Sequence, residues 1–139
     1  MAYSTVELAT KIIAQEEGFR AKPYLCSEGY PTVGHGFKIG RKTDPLESYQ
    51  FEIPESASLM WLDVRVRQLC CQLEKDSDTF AAVVMCNPER EAVLVSMVYQ
   101  LGMSGLKKFR KTLNHLERGD FEDAANEMLV SKWADQTSN

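Results

Sequence analysis

The order of apolar and polar positions predicts a mainly helical chain with one stretch of short strands. Ser4 and Glu7 have the spacing of a capping box. The apolar series after them runs to Glu17, and Gly18 suits the left-handed residue that ends a helix. A second helix of about twenty residues opens at Pro54, and its apolar stripe steps by three and four residues: Leu59, Leu62, Val66, Leu69 and Leu73.

The rest of the chain is predicted to be helical. Thr79–Met85 reads as a short helix. The next begins with the cap signature of Asn87 and Pro88 and leaves almost no polar face before Gly102, which is typical of a helix buried inside a lobe. A helix closed by Gly119 and a last one capped by Asp120 complete the pattern.

Between the first two long helices the pattern alternates as in short strands. Two extended runs from Pro23 to Gly36 are joined by the turn signal Ser27–Tyr30. Glycines 29, 34 and 36 permit tight backbone geometry and the close approach of a ligand. We also predict a strand at Tyr49–Ile53. Helices and strands together predict an α+β fold that is mainly α.

Composition limits the classes of function. A length of 139 residues suits one domain with a real core, and 44% apolar with 26% charged residues is ordinary for a soluble globular protein. A net charge of −4 without a basic block argues against nucleic acid. No run reaches the ~20 apolar residues of a membrane span, and the N-terminus lacks the features of a signal peptide. We therefore expect accumulation in the cytosol, where thiols stay reduced.

The four cysteines and two histidines do not have metal-ligand spacing, because no C-x-x-C pair occurs and the histidines are far apart. We therefore predict no metal site. Cys70, Cys71 and Cys86 are interpreted as small apolar residues on or near core faces.

Three side chains capable of chemistry lie unusually close together in the sequence. Eight residues separate Glu17 from Cys26, and five separate Cys26 from Thr32. We expect a hairpin folded back on the helix end to bring all three to one cleft. The plainer alternatives are a surface glutamate at a helix end, a small residue filling a hairpin and a β-branched strand residue.

This stretch, Glu17–Phe37, resembles the catalytic segment of the phage-type lysozymes (the T4 lysozyme family of endolysins), whose pattern is Glu, eight residues, Asp or Cys, five residues, Thr. The resemblance resumes at Met97–Gly102 and near the end of the chain, and is faint from Lys38 to Asn87. It implies a lysozyme-like two-lobed fold, with an N-terminal helix, a β-rich lobe, a connecting helix and a helical lobe at residues 1–18, 19–53, 54–75 and 76–139.

The resemblance implies glycoside hydrolysis, which needs an acid for the leaving oxygen and a second group on the opposite face of the sugar. A carboxyl in a partly dry cleft holds its proton near neutral pH, so Glu17 is the predicted acid. Cys26 stands where many members have aspartate. Its thiolate is a competent base or nucleophile, which leaves the inverting mechanism and a redox switch as open alternatives. Thr32 is predicted to orient the water.

The resemblance also implies substrate-binding residues: Tyr99, Gln100, Thr112 and Glu127 in the helical lobe, with Glu28 and Lys132 as a pair across the mouth of the cleft. Phe37 occupies the place of a family histidine. The chain stops where relatives continue into further helices, so it is expected to be either a shortened or a truncated member. We expect a monomer unless the short C-terminus exposes apolar surface.

The implied function is that of an endolysin that hydrolyses the β-1,4 bond between N-acetylmuramic acid and N-acetylglucosamine in peptidoglycan, for host lysis. No cofactor is implied, and the expected partner is peptidoglycan rather than nucleic acid or membrane. Release from the host cytoplasm to the cell wall would need a separate holin-type protein. The alternatives are a catalytically silent glycan-binding module and a lytic transglycosylase.

Overall fold

A computed structural model describes residues 4–129 of the chain, which form an α+β fold dominated by helices. This confirms the predicted fold class. The elements in order are α1 (Thr5–Glu17), β1 (Arg20–Leu25), β2 (Pro31–Gly34), β3 (Phe37–Lys38), a 3-10 turn (Leu46–Ser48), α2 (Glu55–Lys75), α3 (Phe80–Val84), α4 (Pro88–Lys107), α5 (Arg110–Glu117) and α6 (Phe121–Leu129).

The chain divides into two compact units. One is Thr10–Arg65, which contains most of α1, the sheet and the start of α2. The other takes in the first turns of α1 and the chain from Val66 onward. Helices α1 and α2 therefore each contribute residues to both units.

Helix α1 begins and ends as its sequence predicts. The Ser4 hydroxyl accepts a hydrogen bond from the Glu7 N–H at 3.1 Å, which caps the first turn. Ala9 and Ile13 point into the core. Gly18 follows with φ of +69°, a conformation that glycine adopts without steric cost.

The sheet is antiparallel with strand order β1-β2-β3. Tyr24 pairs with Thr32 and Leu25 with Pro31, whereas the register shifts between Arg20 and Tyr24. Pro23 lies within that irregular part of β1, where it cannot donate a ladder hydrogen bond. The predicted hairpin is thus confirmed, with its turn closed by the hydrogen bond from the Cys26 N–H to the Tyr30 carbonyl at 3.0 Å.

The third strand differs from the prediction. Tyr49–Ile53 forms no strand, and its ladder-like contact is one hydrogen bond from the Ile53 N–H to the Ala21 carbonyl at 3.0 Å. The strand that pairs with β2 is Phe37–Lys38 instead, with Val33 opposite Phe37. Two residues are too few to show an alternating pattern, which explains why the sequence did not reveal this strand.

Helix α2 has the predicted length, and most of its stripe is buried. Leu62, Val66, Leu69 and Leu73 are inaccessible to solvent, but Leu59 is 38% exposed, so the stripe begins one turn later than predicted. Trp61, in the second turn of α2, is 43% exposed. Its ring is stacked on Phe37 with centroids 3.9 Å apart and planes 4° from parallel.

Helix α4 supplies the core of the second unit. Asn87 caps it by accepting a hydrogen bond from the Arg90 N–H at 2.9 Å. The all-apolar face is buried as predicted, with Ala92, Leu94, Val95, Met97 and Val98 in the core. Gly102 breaks the helical conformation with φ of +76°, and one further turn follows it to Lys107.

The cysteines fulfil the core prediction only in part. Cys70 is buried and Cys86 is partly buried, whereas Cys71 is exposed, so the prediction is wrong for Cys71. Burial raises the pKa of both the Cys70 and the Cys86 thiol to about 11, with the Glu91 carboxyl adding to the effect. Over residues 4–129, no helix is long and apolar enough to cross a membrane.

Candidate active site

Glu17 is the last residue of α1, where the rigid helix fixes the start of its side chain. The side chain is partly buried, and its carboxyl oxygen lies close to the backbone of Gly36, at the β2–β3 connection. Burial raises the pKa of the Glu17 carboxyl, and the neighbouring charge of Glu16 raises it further. A carboxyl in this environment holds a proton to higher pH than an exposed one.

Cys26 follows β1 at the start of the hairpin turn and is partly exposed. Burial acts to raise the pKa of its thiol. Backbone hydrogen bonds from Tyr30 and Glu28, a hydrogen bond from Thr32 and the charge of Lys38 together outweigh that effect, so the net pKa is lowered. The hairpin thus stabilises the thiolate, which is the form that acts as a base or a nucleophile.

Thr32 lies in β2 and is 1% exposed. Its hydroxyl is 2.8 Å from the Tyr30 carbonyl, to which it donates, and it is also a hydrogen-bond partner of the Cys26 sulfur. The structure therefore brings Cys26 and Thr32 together as predicted. Because a hydroxyl has one hydrogen and rotates freely, Thr32 can turn from the carbonyl to the sulfur when the thiol loses its proton.

Glu28 lies in the turn and is exposed, with a carboxylate oxygen 3.6 Å from the Lys38 ammonium. The same ammonium lies 4.4 Å from the centre of the Tyr30 ring. Lys132, the predicted partner of Glu28, lies outside the described residues. Lys38 was missed by the sequence analysis, because its closeness to the turn depends on the β2–β3 pairing of Thr32 with Lys38.

The remaining predicted binding residues belong to the second unit. Tyr99 and Gln100 are partly buried in α4, and Glu127 is partly buried in α6. Thr112, in α5, is 2% exposed, so its hydroxyl is not presented to solvent in this structure. Their contact with a sugar stays a prediction.

Two further residues, which the sequence did not reveal, contact each other at the segment that leads to Gly36. His35 is buried, and Ser58 in the first turn of α2 is inaccessible to solvent. They contact each other across 23 positions of sequence, with 2.6 Å between His35 Nδ1 and Ser58 Oγ. No local pattern in the sequence signals a contact over such a separation.

One group of potential metal ligands occurs within residues 4–129: His115, Asp120 and Asp123 offer atoms within 4.8 Å of one another. Asp120 directly precedes α6, and Asp123 lies in its first turn. Carboxylates at these positions stabilise a helix N-terminus, which accounts for both without a metal.

The chain is similar to known proteins along most of its length. The profile of the phage lysozyme family matches residues 14–139. The chain is 29% identical over 106 residues to "Probable T4-type lysozyme 2" of Dictyostelium discoideum, an alignment that covers 76% of this chain and 58% of that protein. It is 24% identical to "Probable T4-type lysozyme 1" of the same organism, covering 92% of this chain and 85% of the other.

A longer relative is the "Pre-baseplate central spike protein Gp5" of Enterobacteria phage T4. The identity is 27%, and the alignment covers 91% of this chain but 25% of the spike protein. The chain thus spans a quarter of that protein and little more than half of the Dictyostelium lysozyme 2. Because the family profile matches all but the first thirteen residues, this chain belongs to the phage lysozyme family.

Proposed function

We propose that this protein is a muramidase that hydrolyses the β-1,4 bond between N-acetylmuramic acid and N-acetylglucosamine in peptidoglycan. Family membership and the two Dictyostelium relatives named as lysozymes support a lysozyme-type function. The observation that carries the finer proposal is the pair of titratable groups in the Thr10–Arg65 unit. The pKa of the Glu17 carboxyl is raised and the pKa of the Cys26 thiol is lowered, which are the directions that suit an acid and a base or nucleophile in glycoside hydrolysis.

In the proposed reaction Glu17 donates its proton to the glycosidic oxygen as the bond from that oxygen to the anomeric carbon breaks. Cys26 acts on the opposite face of the sugar, in one of two ways. As a base, its thiolate takes a proton from a water whose oxygen bonds to the anomeric carbon, which inverts the configuration. As a nucleophile, the sulfur bonds to that carbon first. A water oxygen then bonds to the carbon as the carbon–sulfur bond breaks and the Glu17 carboxylate takes the proton of the water, which frees the thiolate and releases the sugar with the original configuration.

Thr32 contributes to this reaction by donating a hydrogen bond to the Cys26 thiolate. Its buried hydroxyl already has two protein partners, the Tyr30 carbonyl and the Cys26 sulfur. Donation to the sulfur stabilises the negative charge of the thiolate. Because the hydroxyl is already buried there, no further polar group has to leave water. Orientation of the attacking water by the same hydroxyl remains part of the proposal for the inverting route.

The products of purified peptidoglycan test the proposal. A muramidase releases fragments with new reducing ends, and proton NMR of the first products separates an inverted from a retained anomer. Anhydro-sugar ends, which are lighter by one water, would show a lytic transglycosylase instead. Binding without cleavage would show a silent glycan-binding module, the alternative suggested by cysteine in place of aspartate.

The proposed biological role is host lysis, with peptidoglycan as the partner and a separate holin-type protein to give access to it. Expression in bacterial cells tests this role: lysis is expected only after the inner membrane is permeabilised, and not with Glu17→Gln. Lysis without permeabilisation would contradict the need for a holin. The similar region of the T4 spike protein is one part of a longer chain, so detection of this chain in purified virions would argue for a different role.

A further inference from the structure

A buried serine contacts the loop beside the candidate acid. Ser58 lies in the first turn of α2 and is inaccessible to solvent. Its hydroxyl oxygen accepts a hydrogen bond from the His35 backbone N–H at 3.1 Å and lies 2.6 Å from Nδ1 of the same residue. One hydroxyl therefore holds both the backbone and the ring of His35.

Two contacts of His35 meet at the Ser58 hydroxyl. Its oxygen accepts from the backbone N–H, and towards Nδ1 the hydroxyl donates to an unprotonated ring nitrogen or accepts from a protonated one, according to the tautomer. Burial lowers the pKa of the His35 imidazole, against an opposing effect of the Glu55 carboxylate. The Phe19 ring, tilted 42° against the imidazole at 5.5 Å, adds an apolar neighbour. The Ser58 hydroxyl and the Phe19 ring thus fix the orientation of the imidazole.

Ser58 also fills the space beside Gly34, the last residue of β2, where a larger side chain would lie. Gly34 has φ of +66°, and a Cβ atom built on it would collide with Ser58 Oγ and lie 3.1 Å from Ile53 Cδ1. At the other end of the loop, a Cβ atom built on Gly36 would lie 2.6 Å from Oε2 of Glu17. The segment 34–36 is therefore contacted by Ser58 at its start and by the Glu17 carboxyl at its end.

We propose that Ser58 is a positioning residue for Glu17: by fixing His35 it holds the Gly36 backbone against the carboxyl and so sets where the proton donor lies. This inference rests on the proposed function, because it takes Glu17 as the acid. Glu17 is the last residue of α1, and its carboxyl lies against the Gly36 backbone, so the position of that loop bears directly on the position of the carboxyl. A displacement of about 1 Å in a catalytic group can lower a rate by about a hundredfold.

Ser58→Ala tests the proposal, with kcat and KM measured on soluble, uncrosslinked peptidoglycan. We expect kcat to fall about tenfold or more with KM nearly unchanged, since Ser58 is buried and does not touch substrate. The matched control is Thr79→Val in the other unit. Thr79 is equally buried, and its hydroxyl donates to the Leu73 carbonyl at 2.7 Å, so the control also loses one buried hydroxyl but should keep kcat.

A second variant shows whether a fall in kcat comes from a displaced Glu17 carboxyl or from unfolding of the protein. Ser58→Cys keeps a weaker donor and acceptor at the same site, so its kcat should fall between wild type and Ser58→Ala. All variants are assayed below their own melting temperatures. Wild-type kcat in folded Ser58→Ala or Ser58→Cys, or an equal loss in Thr79→Val, would overturn the proposal.

Glu17→Gln, assayed in parallel, separates the role of Glu17 as the acid from the role of Ser58 in positioning it. If it keeps wild-type kcat, the proposed function fails together with the positioning role. If it is inactive while Ser58→Ala retains full kcat, the proposed acid stands and the positioning role alone is wrong.

Discussion

The carboxyl group of Glu17 lies against the backbone of Gly36, so closely that a Cβ atom at Gly36 would stand 2.6 Å from Oε2. Gly36 has φ of +81°, in the left-handed region that favours glycine. The loop therefore needs glycine here for two independent reasons, its own conformation and the space that the carboxyl occupies. Any side chain at this position has to displace the candidate acid.

Gly36→Ala is predicted to lower activity more than it lowers stability. The left-handed conformation costs an L-residue about 1–2 kcal/mol, and the displaced carboxyl should lower kcat about ten- to a hundredfold. Gly119→Ala is the control, because Gly119 has φ of +75° but a Cβ there would make an ordinary 3.5 Å contact with Met85 Cε. Urea unfolding and initial rates on peptidoglycan measure the two effects. Equal activity in the two variants would contradict the account.

Glu17→Gln is predicted to be more stable than wild type near neutral pH. Burial raises the pKa of the Glu17 carboxyl, so the folded protein binds that proton more tightly than the unfolded chain does. The stability that the protonated group contributes is present below the usual carboxyl pKa and is lost as pH rises through the raised pKa. Glutamine avoids this loss.

Thermal unfolding at several pH values measures the difference. The melting temperature of Glu17→Gln should exceed that of wild type at pH 7 and match it near pH ~4, the usual range of the carboxyl pKa. Glu7→Gln, at the exposed start of the same helix, should not be stabilised, because a carboxylate in the first turn favours the helix. A lower melting temperature for Glu17→Gln at pH 7 would show that the folded state favours the carboxylate.

Cys26 is predicted to react with iodoacetamide at lower pH than an ordinary thiol does. Its lowered pKa depends in part on Lys38, so Lys38→Met should shift the alkylation profile of Cys26 to higher pH. Mass spectrometry of the digested protein follows each cysteine separately. Cys70 and Cys86 should stay unmodified at neutral pH, since burial raises the pKa of each to about 11.

Lys42→Met is the matched control for Lys38→Met. The Lys42 ammonium also lies over the Tyr30 ring, at 5.2 Å, whereas the lysine whose charge lowers the pKa of Cys26 is Lys38. The control should therefore leave the alkylation profile unchanged. Identical shifts in both variants would mean that total charge, rather than the specific contact of Lys38, stabilises the thiolate.

Lys107→Met is predicted to destabilise the second unit, which contains α4, at neutral pH. The Lys107 ammonium lies 2.7 Å from an Asp76 carboxylate oxygen and 3.5 Å from one of Asp78. The hydrogen bond from Lys107 holds the pKa of Asp76 below its usual value, so the stability it brings is present above the usual carboxyl pKa and is lost as pH falls through the lowered one.

The melting temperature of Lys107→Met should therefore be lower than that of wild type at pH 7, with a gap that narrows below pH ~3 and in high salt. Lys108→Met provides the control, because Lys108 is the neighbouring exposed lysine at the same helix end. An equal loss in both variants would assign the effect to the helix terminus instead of the ion pair.

The features that the sequence predicted well are those governed by neighbouring residues. The Ser4 cap, the end of α1 at Gly18 and the turn after Cys26 each depend on a few consecutive positions, and the structure has all three. The spacing of Glu17, Cys26 and Thr32 predicted that all three side chains would meet in one cleft. Cys26 and Thr32 contact each other, and the place of Glu17 in the same cleft stays a prediction.

The features that the sequence could not predict depend on contacts between distant positions. Glycines 34 and 36 were predicted to permit tight backbone geometry, and their φ values of +66° and +81° confirm it. The approach of a ligand to them stays a prediction, and the sequence did not reveal that Ser58 and Glu17 occupy the space where their Cβ atoms would lie. The charge of Lys38 next to Cys26 follows from a strand of two residues, too short for any periodic signal. Long-range packing therefore sets the electrostatics of the site, although local sequence sets its elements.

The release of reducing ends from peptidoglycan by wild type and by Glu17→Gln tests the central claim most directly. Both proteins, and the control Glu7→Gln, are first shown by circular dichroism to be folded at the assay temperature. We expect wild type and Glu7→Gln to release reducing ends, and Glu17→Gln to release none above background, because glutamine cannot donate the required proton. Release by folded Glu17→Gln at the wild-type rate would contradict the assignment of Glu17 as the catalytic acid.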